Sequence, residues 1–251
     1  MTLDVEVLGC SGSYAAPGGA CTGFLVTSGG ADETPTNVWL DAGPGTLGRL
    51  QQRLPLATVD AIVISHEHPD HWLELPVVYT AVRYYLGGAP IPVYGTAGTL
   101  DLARRLLAEL EIAFTWHTVT ADDVVDIGGQ RWRFARTDHY VETLACRIDA
   151  DDKSAVFTSD TGPGWHPASM GEGVDLLVSE STFLSDREHE GIAHLSARQA
   201  GSLAAEVGPG RLVLTHLAPG QEPGAHSAEA ELAFGRPVQV ARAGDRIHTS
   251  G

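Results

Sequence analysis

Short apolar runs bounded by turn residues dominate the first third of the chain, and they are typical of β-strands. The predicted strands of this part are LDVEVLG, TGFLVTS, NVWLDAG, DAIVIS and IPVYG. Two longer segments place apolar residues three or four positions apart instead, which predicts amphipathic helices. These helices are LPVVYTAVRYYL and GTLDLARRLLAELEI.

The second half of the chain also contains short apolar runs bounded by turn residues, but it does not repeat the sequence of the first half. Its predicted strands are FTWHTV, VVDI, QRWRFARTDH, TLACRID, SAVFTSD, VDLLVSE, RLVLTH and PVQVAR. Between them, Ser196 and Gln199 form a capping box that opens the predicted helix LSARQAGSLAAEV. Because strands come in runs with helices interspersed, the pattern predicts an α/β fold in which two sheets lie between helical layers.

The length and composition bound the class of protein. At 251 residues, one domain spanning residues 1–251 is the simplest expectation. No apolar run approaches the roughly 20 residues that span a membrane, and the N-terminus carries acids where a secretion signal carries basic residues. The three cysteines are scattered and odd in number, which suits a reducing compartment. We therefore expect a cytoplasmic protein with no membrane partner.

The charge balance argues against a large polyanionic partner. The net charge is -16, from 32 acidic and 16 basic residues. Proteins that grip nucleic acid usually carry a basic footprint, so nucleic acid is a less favoured partner than a small phosphorylated molecule. Arg131, Arg133 and Arg136 form a basic cluster, and alternation on a solvated strand face explains it.

Polar residues of the metal-binding type stand where several predicted strands end. They are His66, His139, Asp160, Glu180 and His216. Because a rigid sheet can hold side chains at its edge, we expect these strand ends to converge on one functional site.

The stretch SHEHPDH after the strand DAIVIS is open to two interpretations, a polar surface loop or a metal-ligand cluster. Pro69 enforces an extended or turning conformation at His68, so that His66 and His68 can point the same way. Asp70 and His71 then open the following helix. Such a loop offers four ligands to two adjacent ions, and its imidazole and carboxylate groups suit zinc, manganese or iron(II) rather than calcium.

This motif and its surroundings resemble the metallo-β-lactamase fold superfamily. The upstream segment VWLDAGPGT is part of the resemblance, which extends over nearly the whole chain. Other segments follow in the order of the ribonuclease Z-like branch, which cleaves phosphodiesters. They are VLGCSGS, DHYVETLACRI, FTSDTGPG, SESTF, HLSARQAG and LVLTHLAPG. The resemblance, with compact bacterial cyclic-nucleotide phosphodiesterases in particular, implies an αββα four-layer sandwich.

The resemblance also implies a site with two divalent metal ions, for which zinc is the first choice. The implied ligands are His66, His68 and His139 for one ion, Asp70, His71 and His216 for the other, and Asp160 between them. A water activated between the ions would be the nucleophile, with Asp70 as the orienting base. His194, positioned by Glu180, would protonate the leaving oxygen. Asp41 would support the metal loop from behind.

Some of these assignments have alternatives at the level of single residues. Asp138 could take the place of His139 as a ligand, and Glu180 and His194 could be a solvated acid and a loop histidine. Ser179 stands where the family often has a histidine, which puts the Glu180–His194 relay in doubt. The basic arm with which tRNA-processing members grip tRNA has no counterpart here.

The leading hypothesis is therefore a dinuclear metal phosphodiesterase acting on a small substrate, plausibly a 3′,5′-cyclic nucleotide. The alternatives are a tRNA 3′-end endonuclease of the ribonuclease Z type, and a lactone or thioester hydrolase on the same metal site. A redox role is disfavoured because redox members carry a glutamate where His68 stands. The tyrosine-rich helix VVYTAVRYYL could form a homodimer interface, with buried core aromatics as the alternative.

Overall fold

Residues 2–30 and 34–249 are described by the structure, which is a computed structural model. Within these residues the strands are β1 Thr2–Gly9, β2 Gly23–Gly29, β3 Thr36–Leu40, β4 Ala61–Ile64, β5 Ile91–Gly95, β6 Phe114–Thr118, β7 Val124–Ile127, β8 Gln130–Arg136, β9 Leu144–Ala150, β10 Lys153–Phe157, β11 Leu176–Glu180, β12 Arg211–Thr215, β13 Gln239–Val240 and β14 Arg246–His248. The α-helices are α1 Thr46–Leu50, α2 Pro69–Trp72, α3 Leu75–Ala81, α4 Ala97–Leu106, α5 Ala197–Val207 and α6 Pro223–Phe234.

The strands form two seven-stranded sheets. The first has the order β14-β1-β2-β3-β4-β5-β6, and the second has the order β13-β12-β11-β10-β9-β8-β7. Strands β3 to β6 run parallel, as do β10 to β13, while β8 and β10 both pair antiparallel with β9. In consequence β8, β10, β11 and β12 all point the same way and end at the same edge of their sheet.

Three apolar cores separate four layers. In β4, Ala61 and Val63 pack into the core between the two sheets, whereas Ile62 and Ile64 pack against α1 to α4 on the outer face. Strands β11 and β12 likewise divide their side chains between the central core and the core under α5 and α6. Strands buried on both faces are apolar throughout, which is why they appeared as continuous apolar runs in the sequence. The prediction of an αββα sandwich is confirmed.

The predicted helix over residues 75–86 is helical throughout, but its last turn has π-helical rather than α-helical geometry. α3 ends at Ala81 and continues as a π-helical turn, Val82–Leu86, that stops at Gly87 in a left-handed conformation. Tyr84 and Tyr85 in this turn are exposed, so no layer packs against them to hold α-helical geometry. The sequence therefore predicted the end of this helical segment at Leu86, but not its change from α-helical to π-helical geometry.

Three elements escaped the sequence pattern, and one of them is the five-residue helix α1 Thr46–Leu50. α6 is rich in alanine, and its buried residues are only His226, Ala230 and Phe234, so its apolar face is narrow. β14 spans only Arg246–His248 and is recognised by its pairing with β1 rather than by any pattern of its own.

The capping box of α5 is formed as predicted. Ser196 Oγ accepts a hydrogen bond from Gln199 N at 3.1 Å, and Gln199 Oε1 accepts one from Ser196 N at 2.9 Å. These contacts fix the N-cap of α5, Ser196, two residues after His194. Among the described helices, none combines the length and the apolar character that crossing a bilayer requires.

Candidate active site

The carboxyl ends of β4, β8, β10, β11 and β12 meet at one edge of the sandwich. The residues at or just beyond these ends are His66, His139, Asp160, Glu180 and His216. All five are buried, although each is polar and titratable. The structure therefore brings together the strand-end residues that the sequence singled out.

The histidine-rich loop after β4 turns inward rather than lying in solvent. His68 is extended, with φ of -68° and ψ of 139°, and Pro69 begins α2 directly after it. Asp70 and His71 consequently lie in the first turn of α2 and point into the site. Because His66 and His71 are fully buried, the surface-loop interpretation of this stretch is wrong.

Seven side chains of this edge fall into two groups of candidate metal ligands. The groups are His66, His68, His139 and Asp160 on one side and Asp70, His71 and His216 on the other. Within each group the candidate ligand atoms, one per residue, lie within 4.8 Å of one another. A third, overlapping group contains Asp160, His194 and His216. The division follows the two predicted ligand sets, and the binding of metal by these residues stays a prediction.

The polar atoms of these groups fit a divalent cation. Nε2 of His139 lies 3.1 Å from Nδ1 of His68 in the first group. In the other group, Nε2 of His71 lies 3.4 Å from Nε2 of His216. Nε2 of His66 and Oδ1 of Asp160 are buried and form no hydrogen bond with any described residue. Buried polar atoms without partners are costly, and a shared cation would satisfy them. Imidazole and carboxylate together are the donor set of zinc, manganese and iron(II).

Burial and neighbouring charges set His66 and Asp160 in forms that bind metal, whereas the carboxylates around His71 and His216 raise the pKa of these two rings. Burial, helped by His71, lowers the pKa of His66 to about 4, so this ring is neutral at neutral pH. Burial alone would raise the pKa of Asp160, but the imidazoles of His216 and His71 outweigh it and hold that pKa well below its ordinary value. A neutral imidazole and an ionised carboxylate are the forms that coordinate a cation.

Hydrogen bonds behind the site orient the ligand rings. Nδ1 of His71 lies 2.8 Å from Oδ2 of Asp41, whose carboxylate also accepts from the backbone N–H and hydroxyl of Ser65. Nδ1 of His139 lies 2.8 Å from the carbonyl oxygen of Ala193. With the proton on the outward nitrogen, the inward nitrogen keeps its lone pair for a metal.

The loop after β1 closes the site from the opposite side, a feature that the sequence reasoning missed. A Cβ atom at Gly12 would lie 2.5 Å from the carbonyl oxygen of His216, so this position requires glycine. Ser13 N donates to Oδ2 of Asp70 at 2.8 Å. No histidine, aspartate or glutamate marks this loop, and its run of small residues was the signal in the sequence.

Asp138 has a different task from its neighbour His139. Its Oδ2 accepts from Gly164 N at 2.9 Å, and its carbonyl oxygen accepts from Gly162 N at 2.6 Å. Asp138 thus fastens the turn after Asp160, while His139 joins the ligand group. Of the two adjacent candidates, the geometry favours His139.

Glu180 and His194 form a buried pair beside the ligand groups. Oε1 of Glu180 accepts from Nδ1 of His194 at 3.0 Å and from Thr161 N at 2.8 Å. Oε2 accepts from the hydroxyl of Thr182 at 2.7 Å and from its backbone N–H at 3.3 Å. Because its side chain is buried and four donors surround the carboxylate, Glu180 is not a solvated surface acid.

The pair holds a proton close to the candidate ligands. Burial alone would lower the pKa of His194, but the Glu180 carboxylate outweighs it and raises the pKa to about 9. The His194 ring lies 5.0 Å from the ring of His139 and 5.6 Å from that of His216, between centroids. Since Nδ1 is engaged by Glu180, Nε2 is the atom available to donate a proton.

Ser179 does not disturb this pair. Its hydroxyl donates to the carbonyl oxygen of Glu180 at 2.9 Å, and the Glu180–His194 hydrogen bond is intact. The residue that the sequence reasoning overlooked is Thr182, which contacts Glu180 and the histidines around it. A signal was present, because residues two apart in an extended segment lie on the same face.

The family comparison agrees with this geometry. Residues 36–217 match the model of the beta-lactamase superfamily domain. The probable metallo-hydrolase YhfI of Bacillus subtilis is 29% identical over 253 residues, covering 96% of this chain and 98% of YhfI. The ribonuclease Z of Methanopyrus kandleri is 28% identical over 274 residues, covering 95% of this chain and 94% of that enzyme.

Solved structures share the fold over the full length of the chain. The crystal structure of YhfI, a metallo-beta-lactamase fold protein, has a TM-score of 0.89 and 26% identity, covering 99% of this chain and 100% of YhfI. A diphosphatase of the PhnP family has a TM-score of 0.77 at 20% identity, covering 98% of this chain and 97% of its own, and shares the fold alone.

We expect Asp41→Asn to weaken zinc binding about 10- to 100-fold, because His71 loses the carboxylate that orients it. Zinc titration of metal-free protein against a competing chelator measures this. Asp4→Asn is the matched control, since Asp4 also accepts from a histidine, His248, at 2.8 Å but lies away from the site. Equal zinc affinity in Asp41→Asn and wild-type protein would contradict the assignment.

Proposed function

The chain belongs to the beta-lactamase superfamily and is a metal-dependent hydrolase, and we propose that it hydrolyses a small phosphodiester, with a 3′,5′-cyclic nucleotide as the candidate substrate. The observation that carries this proposal is the Glu180–His194 pair beside the ligand groups. An alkoxide is a poor leaving group and needs a proton as the bond to phosphorus breaks. A buried imidazole held protonated by a carboxylate suits that task.

The residues of the two groups would hold two divalent ions, with zinc as the first candidate. We assign His66, His68 and His139 to one ion, Asp70, His71 and His216 to the other, and Asp160 to both. When bound, such ions supply Lewis-acid activation of water and stabilise charge that develops on phosphoryl oxygens. Manganese or iron(II) would find the same donors.

Two side chains of the protein would move the protons. Asp70, held through Oδ2 by the backbone N–H of Ser13, orients the attacking water and accepts its proton. His194 donates the proton on Nε2 to the leaving oxygen, while Glu180 balances the charge of the imidazolium and keeps the ring oriented. The two tasks fall to separate groups, so acid and base need not exchange places.

The surroundings favour a small substrate over an RNA. Residues 72–138 form α3, α4 and β5 to β8 of the sandwich with short connections between them, and no inserted arm interrupts this interval. Arg131 and Arg133 pair with Asp126 and Asp149 on the solvent face of β8. The strongly acidic chain also offers a large polyanion little attraction.

The cysteines are free, which suits the reducing cytoplasm where we place the enzyme.

We expect His194→Ala to lower kcat about 100- to 10,000-fold for cyclic AMP, whose leaving alkoxide needs a proton. The same variant should lose far less activity on bis(p-nitrophenyl) phosphate, because nitrophenolate leaves without one. Steady-state kinetics of the zinc-loaded protein on both substrates measure the difference.

His248→Ala is the matched control for this experiment, since His248 pairs with Asp4 outside the site. Equal losses on the two substrates would show that His194 is not the acid. Unchanged activity of His194→Ala would favour lactone or thioester hydrolysis on the same metal site. If the wild-type protein hydrolyses neither cyclic AMP nor bis(p-nitrophenyl) phosphate, the proposed phosphodiesterase function is wrong.

A tRNA 3′-end endonuclease is the second candidate, and the similarity to a ribonuclease Z at 28% identity favours it. We expect wild-type protein to bind precursor tRNA weakly and to cleave it far more slowly than cyclic AMP. Gel-based cleavage assays and binding measured from low to high salt test this. Efficient cleavage, with affinity that falls steeply as salt rises, would reverse the order of the two candidates.

We also propose a homodimer that forms through the exposed face of α3 and its continuation. Tyr84 is 66% exposed and Tyr85 is 82% exposed, and Val77 and Leu86 add apolar surface beside them. Contiguous exposed apolar residues are typical of interaction sites.

Light scattering should therefore give about twice the chain mass of 26.5 kDa for wild-type protein, and about the chain mass for Tyr85→Glu. Leu232→Glu is the matched control, because Leu232 is 88% exposed on α6, at a distance from this face. A monomeric wild-type protein would contradict the proposed dimer.

A further inference from the structure

One hydroxyl lies between the Glu180–His194 pair and the ligand group of Asp70, His71 and His216. The Oγ atom of Thr182 is 2.7 Å from Oε2 of Glu180 and 2.9 Å from Nδ1 of His216. It also lies 3.3 Å from Nδ1 of His194. The side chain of Thr182 is buried, so these contacts are sheltered from water.

The chemistry of these groups fixes the direction of each hydrogen bond. A hydroxyl carries one proton to donate and two lone pairs that accept, whereas an ionised carboxylate only accepts. The proton of Thr182 must therefore point to Glu180. Toward His216 the hydroxyl can then only accept, which requires the proton of that ring to be on Nδ1.

This direction has a consequence for the metal group. Nε2 of His216 hydrogen-bonds Oδ2 of Asp70 at 3.3 Å and lies 3.2 Å from Oδ1 of Asp160. With a proton held on Nδ1, His216 keeps Nε2 for a cation, which would replace the proton of that nitrogen. Nε2 is thus the atom that faces the other candidate ligands. If the proton moved to Nε2, His216 would present a donor where a metal needs a lone pair.

We propose that Thr182 is a positioning residue that sets, through this single hydroxyl, both the protonated nitrogen of His216 and the orientation of the Glu180 carboxylate. The inference rests on the proposed function, because it assigns His216 to a metal ion and His194 to proton donation. It adds that the affinity for the ion held by Asp70, His71 and His216 and the efficiency of the acid depend on one side chain. Thr182 acts through these neighbours and does not touch substrate.

The neighbouring residue provides a contrast on the same segment. Ser181 is also buried, and its hydroxyl lies 2.8 Å from Nδ1 of His226 on α6, on the opposite face. Removal of that hydroxyl breaks a buried hydrogen bond of similar length without touching either ligand group. Ser181→Ala is therefore a matched control for the loss of a buried hydroxyl at this position in the fold.

The test compares Thr182→Val, which keeps the shape and removes the hydroxyl, with Thr182→Ser, which keeps the hydroxyl. Zinc titration of metal-free protein should give two bound ions in the wild type, and in Thr182→Val one of the two should bind about 10- to 100-fold more weakly. The kcat for cyclic AMP should fall by a similar factor with KM unchanged, since the residue does not contact substrate. Thr182→Ser should restore both quantities to within a few-fold, and Ser181→Ala should leave both unchanged.

The inference is overturned if Thr182→Val binds both ions with wild-type affinity, or if Thr182→Ser loses as much as Thr182→Val. Thermal unfolding of each variant shows whether it is folded. Should Thr182→Val fail to fold, Thr182→Ala and Thr182→Ser provide the same comparison. If wild-type protein binds two ions yet hydrolyses no phosphodiester, the proposed function fails, and the zinc titration alone decides the role of Thr182.

Discussion

Five imidazole rings and two carboxylates share one buried edge of the sandwich, and the rest of the site is arranged around that constraint. Buried groups of this kind are costly unless each polar atom has a partner. Nε2 of His66 and Oδ1 of Asp160 have no hydrogen bond within the described part of the chain. Their neighbours are other ligand-type atoms, so a bound cation is the natural way to satisfy them together.

The surroundings of the site follow from the need to present lone pairs inward. Asp41, the carbonyl oxygen of Ala193 and the hydroxyl of Thr182 each contact the outward nitrogen of a ligand ring. Gly12 supplies space rather than a bond, since a side chain there would collide with His216. The orientation of the ligand rings and the space around them thus come from residues that are not assigned as ligands themselves, which is common around metal sites.

Much of the fold was predictable because its strands are buried on both faces. Strands such as β4, with apolar residues at every position, are separated by turn residues and stand out in a single sequence. The capping box at Ser196 is a local signal and was found for the same reason. α6 was missed because its few large apolar residues give no wide apolar face, and the π-helical geometry of Val82–Leu86 was missed because apolar spacing does not distinguish it from an α-helix.

The sequence by itself determined the types of candidate ligand and their local geometry, since the spacing of His66, His68, Asp70 and His71 around Pro69 is a property of seven consecutive residues. Only the tertiary structure decided which distant residues meet them. His71 and His216 are 145 positions apart, and Thr182 and His216 are 34 apart. Their contacts depend on how two sheets pack and where parallel strands end, and no local pattern encodes that. The same packing places His139, and not Asp138, in a group of candidate ligands. It also brings Glu180 into hydrogen-bond contact with His194, although Ser179 precedes Glu180. In both cases the sheet sets the direction of the side chain at the end of a strand.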